Sequence, residues 1–224
     1  MDGTEVFSVE RHDGQSQYQR KQGKALLVDK KNNSRARKRS NAKSLSSDSR
    51  VGKKKPEKGL LPKSVLGNIR LFATDVDGVL TDAGMYYAES GDEWKKFNTR
   101  DGMGIKMLQA QGVVTAIITM EQTKVVARRA QKLKIEEVFQ GITNKAEVLS
   151  SLSVKYNIAL EHMAYIGDDV NDLPALQIVG FSCAPADCVD EVRSVVDYVC
   201  EKRGGEGAVR EIADKILQMK QSSR

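Results

Sequence analysis

Cysteine and histidine are scarce in this chain, and no long apolar run occurs. There are three cysteines, Cys183, Cys188 and Cys200, an odd number with no CxxC spacing, so neither a disulfide scaffold nor a zinc module is expected. The two histidines, His12 and His162, exclude a His-rich metal centre. They also force any Ser-His-Asp or Cys-His chemistry through one of two positions. No apolar run approaches the ~18–20 residues that a spanning helix needs, so no membrane partner is expected. The opening residues, Met1-Asp2-Gly3-Thr4-Glu5, lack a basic segment followed by an apolar one, so no secretory leader is expected. Acidic residues that early argue against a mitochondrial transit segment. The expected location is the cytoplasm, with the nucleus as an alternative.

That alternative comes from the distribution of charge. The 224 residues carry a net charge of +6, but residues 1–64 hold 17 Lys and Arg against 7 Asp and Glu, while residues 65–224 hold 19 against 23. The chain therefore reads as a disordered basic tail, 1–64, joined to a mildly acidic domain, 65–224. Runs such as Lys30-Lys31 through Arg39-Ser40 and Lys53-Lys54-Lys55 read first as solvated linker and second as a localisation or anion-binding segment. No aromatic residue interleaves them, which disfavours nucleic acid as a partner.

The domain alternates strand and helix signals. Apolar runs at 69–74, 113–119, 138–139, 163–166 and 181–183 predict buried strands. Helices are expected over 101–112, 121–133, 145–156 (capped by Asn144), the stretch through Leu173 and Ile178, 189–196 and 208–219. The turn Glu89-Ser90-Gly91-Asp92 between two aromatic segments predicts a hairpin. This alternation implies an α/β fold, a parallel sheet with helices on both faces, with chemistry beyond the carboxyl ends of the strands.

Four elements stand at such ends. The first strand runs into Asp75-Val76-Asp77-Gly78-Val79-Leu80-Thr81, where two close carboxylates need a cation or a proton between them. Oxygen-only ligands suit Mg²⁺. The second strand ends at Thr119, beside a helix start suited to phosphate. Lys145 opens another helix. Gly167-Asp168-Asp169-Val170-Asn171-Asp172 follows a later strand, and its three carboxylates also call for a cation. Singly, each has an ordinary reading: an acidic turn, a helix cap, a surface lysine.

In order and spacing, the set resembles the haloacid dehalogenase superfamily. The resemblance implies a Rossmann-like sheet and Mg²⁺-dependent phosphoryl transfer. It makes Asp75 the nucleophile and Asp77 the acid and base. Thr119 and Lys145 then hold phosphoryl oxygens. Asp75, the Asp77 carbonyl and Asp168 hold Mg²⁺, Asp172 orients Lys145, and Asp169 acts in the outer shell. The spacings leave room for a β-hairpin flap but no cap domain. The hairpin segment Trp94 to Gly102 and the late Glu201-Lys202-Arg203-Gly204-Gly205-Glu206-Gly207 resemble the capless sugar-acid phosphatases. These act on 3-deoxy-octulosonate 8-phosphate or the related nononate 9-phosphate, as homotetramers in which a neighbour's hairpin covers the site. Thr81, Arg100, Glu121, Arg129, Lys132, Arg203, Gly204 and Gly205 are the expected substrate contacts. Glu121, followed by Arg129 and Lys132, is similar to the nononate branch, which is ranked first. An idle tetramerisation module related to acylneuraminate cytidylyltransferases is the alternative, disfavoured because Asp75, Asp77, Lys145 and Asp168 are all in place. A nucleotidyltransferase would not fit in the 64-residue tail.

Overall fold

The computed structural model describes residues 63–222. The expected basic tail lies outside them except for residues 63 and 64, which open the first helix. In chain order the elements are α1 (Lys63–Gly67), β1 (Leu71–Thr74), a hairpin of β2 (Tyr86–Tyr87) and β3 (Glu93–Trp94), α2 (Thr99–Ala110) and β4 (Val114–Ile118). Then come α3 (Lys124–Leu133), β5 (Glu137–Phe139), α4 (Lys145–Tyr156) and β6 (Met163–Ile166). The chain closes with α5 (Leu173–Ile178), β7 (Phe181–Ala184), α6 (Asp190–Val195), β8 (Tyr198–Val199) and α7 (Ala208–Ser222).

The sheet is parallel, in the order β5-β4-β1-β6-β7-β8. β1 lies at its centre, with Leu71 opposite both Val114 and Met163 and Thr74 opposite both Ile117 and Ile166. All four β1 residues are buried, as an unbroken apolar run predicts for a strand covered on both faces. Phe72, Ile117 and Ile166 face one core, completed by Leu66, Ile105, Leu108, Val126, Leu133, Val209, Ile212 and Ile216 of α1, α2, α3 and α7. Leu71, Ala73, Ala116 and Ile118 face the other, completed by Leu149, Leu152, Leu176 and Val192 of α4, α5 and α6. Helices thus cover both faces, as expected. The chain builds outward from β1 through β4 and β5, then returns to β6 on the other side. That reversal opens a crevice at the carboxyl end of β1.

The insertions are small. Residues 75–113 hold only the hairpin and α2, and a single 3-10 turn (Leu160–His162) separates α4 from β6, so no cap domain interrupts the sheet. Helix starts follow their caps. Asn98 accepts the Arg100 N–H at 2.8 Å, so α2 begins at Thr99, two residues before the expected start. Thr123 accepts the Val126 N–H at 3.4 Å, so α3 begins at Lys124 rather than Glu121. α4 begins at Lys145 behind the Asn144 cap, as the sequence predicts. Among the described residues no helix is long and apolar enough to cross a membrane. The three cysteines are buried free thiols.

Candidate active site

Asp75 follows β1 directly, and its N–H donates to the Ile166 carbonyl at 3.0 Å, so the sheet fixes its backbone. The residue is 5% exposed. Its Oδ2 lies 2.9 Å from Lys145 Nζ, while Oδ1 is buried without a hydrogen-bond partner. Lys145 is itself buried and reaches Asp172 Oδ1 at 2.6 Å. That same oxygen accepts the Tyr165 hydroxyl at 2.6 Å. Asp172 Oδ2 accepts the N–H groups of Asp168 at 3.0 Å and Asp169 at 3.3 Å. Burial works against the Lys145 ammonium, but Asp75 and Asp172 outweigh it and hold its pKa above the usual lysine value. Lys145 thus lies between Asp75 and Asp172.

One lysine does not neutralise this corner. Carboxylate oxygens of Asp75, Asp168 and Asp172 lie within 4.8 Å of one another. Burial, reinforced by Asp172 and opposed by Lys145, pushes the Asp75 carboxyl up to about 7. Burial and the charges of Asp75 and Asp172 push Asp168 up to about 8. A cation would relieve this, and donors for it are present: Asp75 Oδ1 and Asp168 Oδ1 are buried without partners. Asp172 belongs to the same cluster but already accepts four hydrogen bonds, so Asp75 and Asp168 are the fitting carboxylate ligands. Asn171 Oδ1, in the turn that follows Asp168, is also buried without a partner. These hard oxygens suit a divalent ion of the Mg²⁺ type. Gly78 makes the approach feasible: its φ is +83°, and a Cβ there would stand 2.0 Å from Asp168 Oδ2.

Asp77 is placed differently. Both its oxygens accept from Lys95 Nζ, at 2.7 and 2.8 Å, and Thr81 Oγ1 lies 3.4 Å from Oδ1. Lys95 sits just past β3, so a hairpin residue holds this carboxylate. The sequence reading missed Lys95 and Asn171. Strand alternation was the available signal for Lys95, since it puts this residue on the face opposite Trp94 and Lys96, which are exposed.

Thr119 ends β4, in the strand next to Asp75, and is buried. Its Oγ1 accepts the Glu121 N–H at 3.3 Å. Glu121, Lys132 and Arg100 are exposed, free of the core. The other expected substrate contacts have structural partners of their own. Arg129 Nη2 donates to the Asn98 carbonyl at 2.8 Å, and its guanidinium lies 5.5 Å from the Phe97 ring centre, which ties α3 to the start of α2. Thr81 is fully buried and its hydroxyl donates to the Val76 carbonyl at 3.3 Å, which closes its own loop. Gly204 and Gly205 are glycines because of backbone packing. A Cβ on Gly204 would stand 1.9 Å from the Gly78 carbonyl oxygen, and one on Gly205 would stand 2.6 Å from the Asp82 nitrogen. Arg203 pairs with Asp187 at 3.3 Å. This turn therefore braces the nucleophile loop. Asp169 accepts the Val170 N–H at 2.6 Å and caps the 3-10 turn Val170–Asp172.

Comparison with known proteins agrees with this geometry. Residues 120–212 match the model of the haloacid dehalogenase-like hydrolases. The chain is 44% identical over 150 residues to the 3-deoxy-D-manno-octulosonate 8-phosphate phosphatase of Escherichia coli K12, covering 67% of this chain and 80% of that protein. It is 41% identical over 153 residues to the Haemophilus influenzae phosphatase of the same name, covering 68% and 85%. Among solved structures, the 3-deoxy-D-manno-octulosonate 8-phosphate phosphatase of Moraxella catarrhalis, in complex with a magnesium ion, a phosphate ion and a KDO molecule, superposes with a TM-score of 0.70 at 40% identity, covering 71% of this chain and 92% of that one. The cobalt-bound Haemophilus influenzae phosphatase gives 0.68 at 40% identity, covering 71% and 93%.

Proposed function

This chain belongs to the haloacid dehalogenase-like hydrolases, and on that premise we propose that it hydrolyses a phosphorylated 3-deoxy-2-keto sugar acid through an aspartyl-phosphate on Asp75. It is a phosphomonoester hydrolase, and Mg²⁺ is its cofactor. The observation that carries the reading is Asp75 itself: one oxygen is held by Lys145, and the other is buried and unbonded. An idle module would have no use for unpartnered oxygens on both Asp75 and Asp168 within one acidic cluster.

The Asp75 carboxylate attacks phosphorus in line with the ester oxygen. As the P–O bond breaks, Asp77 gives its proton to the departing alkoxide. Asp77 then takes a proton from a water that attacks the acyl phosphate, releasing inorganic phosphate and regenerating Asp75. Thr119 and Lys145 hold the phosphoryl oxygens. Asp75, Asp168 and the Asp77 carbonyl would hold Mg²⁺, which would supply positive charge to offset that of the phosphoryl oxygens and the carboxylates around them.

Without a cap domain, water must be excluded by other means. Tyr86, Tyr87 and Trp94 of the hairpin are 52%, 73% and 67% exposed, an apolar patch that supports a homotetramer in which one chain's hairpin covers the next chain's site.

The named relatives support octulosonate 8-phosphate as a substrate. Glu121 supports ranking nononate 9-phosphate above it, because an exposed acceptor two residues past Thr119 can take hydrogen bonds from additional sugar hydroxyls. The test is phosphate release from both sugar acids, with Mg²⁺ and with excess chelator. Release that depends on Mg²⁺ is expected, with kcat/KM favouring the nine-carbon ester and shifting toward the eight-carbon ester in Glu121→Arg. Activity undiminished by chelator contradicts the reaction, and an unmoved ratio contradicts the ranking.

A further inference from the structure

Lys95 lies in none of the motifs, yet its side chain is completely buried. Burying an ammonium is costly unless it is paired, and here the pairing is specific. Two contacts go to the two oxygens of Asp77, at 2.7 and 2.8 Å. A third approaches Glu93 at 3.4 Å. These partners outweigh the burial and hold the Lys95 pKa above the usual value. The anchor is local as well: Thr81 bridges to Phe97 across the base of the hairpin, and the Thr81 hydroxyl lies 3.4 Å from Asp77 Oδ1. The contacts that orient the Asp77 side chain thus come from the hairpin and its base rather than from the sheet.

We propose that Lys95 is a positioning residue through which the hairpin aims the Asp77 carboxylate, so that proton delivery to the leaving oxygen depends on it. The inference rests on Asp77 being the acid of the reaction above. Asp77 sits on a loop, and an acid that is not held in reach of the leaving oxygen loses much of its effect. A lysine seated just past the hairpin's second strand supplies that hold, and it links the acid to the exposed neighbour Trp94.

The experiment compares two esters in the Mg²⁺-loaded protein. The sugar-acid phosphate leaves as an alkoxide and needs a proton, whereas 2,4-dinitrophenyl phosphate leaves without one. kcat/KM reports only steps up to departure of the leaving group, so hydrolysis of the acyl phosphate does not enter. For Lys95→Met, kcat/KM should fall at least about 30-fold on the sugar-acid ester and stay within about threefold on the aryl ester. Lys95→Arg, which keeps two donors, should stay within about tenfold of wild type on both. Placed in an Asp77→Asn background, Lys95→Met should cost less than about threefold more. Retained aryl-ester activity shows that the variant is folded. If Lys95→Met does not fold, Lys95→Gln carries the same comparison. Equal losses on both esters, or a full further loss in the Asp77→Asn background, overturn the proposal. A wild type that cleaves neither ester refutes the phosphatase reading itself, an outcome distinct from either.

Discussion

Two buried lysines divide the site between two kinds of structure. Lys145 serves Asp75 from the first turn of a twelve-residue helix, within a network of Asp172, Tyr165 and the backbone of residues 168–169 that is anchored in the sheet. Lys95 serves Asp77 from a hairpin whose strands are two residues each and whose outer face is exposed. Asp75 is therefore fixed by the core of the fold, and Asp77 by an appendage. The difference suits the proposed chemistry: attack on phosphorus needs one rigid position, whereas Asp77 must serve first a leaving oxygen and then a water.

This contrast can be broken experimentally. Lys145→Met should act on both stability and rate. It removes a partner from two buried carboxylates, so unfolding in denaturant should show a loss of about 3 kcal/mol, with phosphate release down at least about 100-fold. A stable variant would mean that the sheet-side network is not the anchor described. Gly204→Ala probes the brace between the two halves. Its Cβ would meet the Gly78 carbonyl at 1.9 Å, so a loss of about 2 kcal/mol is expected, with a rise in KM for Mg²⁺ as the nucleophile loop shifts away from Asp168. No change in either would contradict the bracing role of Gly204. Trp94→Ala sharpens the other side. Monomer stability should change by no more than about 0.5 kcal/mol, the usual range for an exposed position. Light scattering should show dissociation from a species of about four chains. Dissociation with full activity would remove the argument that a neighbour completes the site.

The carboxyl-end placement of Asp75, Thr119 and Asp168 was legible in the sequence because buried apolar runs end abruptly at polar residues. α4 was legible because its Asn144 cap and Lys145 start coincide. What escaped depended on contacts between distant segments. Gly204 and Gly205 look like a flexible turn, and nothing in their own spacing shows that they lie against Gly78 and Thr81. Arg129 looks like a surface cation beside Arg128. Its helical spacing to Val126 and Leu133, three and four residues away, was the available sign that it faces inward. Lys95 sits beside Lys96, and composition alone does not separate them. The pleat does, sending Lys96 to solvent, with a side chain 59% exposed, and Lys95 to Asp77. Short strands such as β8 carry too few residues to show a period.

The account turns on a covalent bond at Asp75. An acyl phosphate is reduced by borohydride to an alcohol, so protein quenched with borohydride during turnover of the sugar-acid phosphate should carry homoserine at position 75, read by peptide mass. The account predicts that modification only when substrate and Mg²⁺ are both present, and none in Asp75→Asn, whose turnover should fall at least about a thousandfold. An unmodified position 75 during turnover, together with an active Asp75→Asn variant, would contradict it.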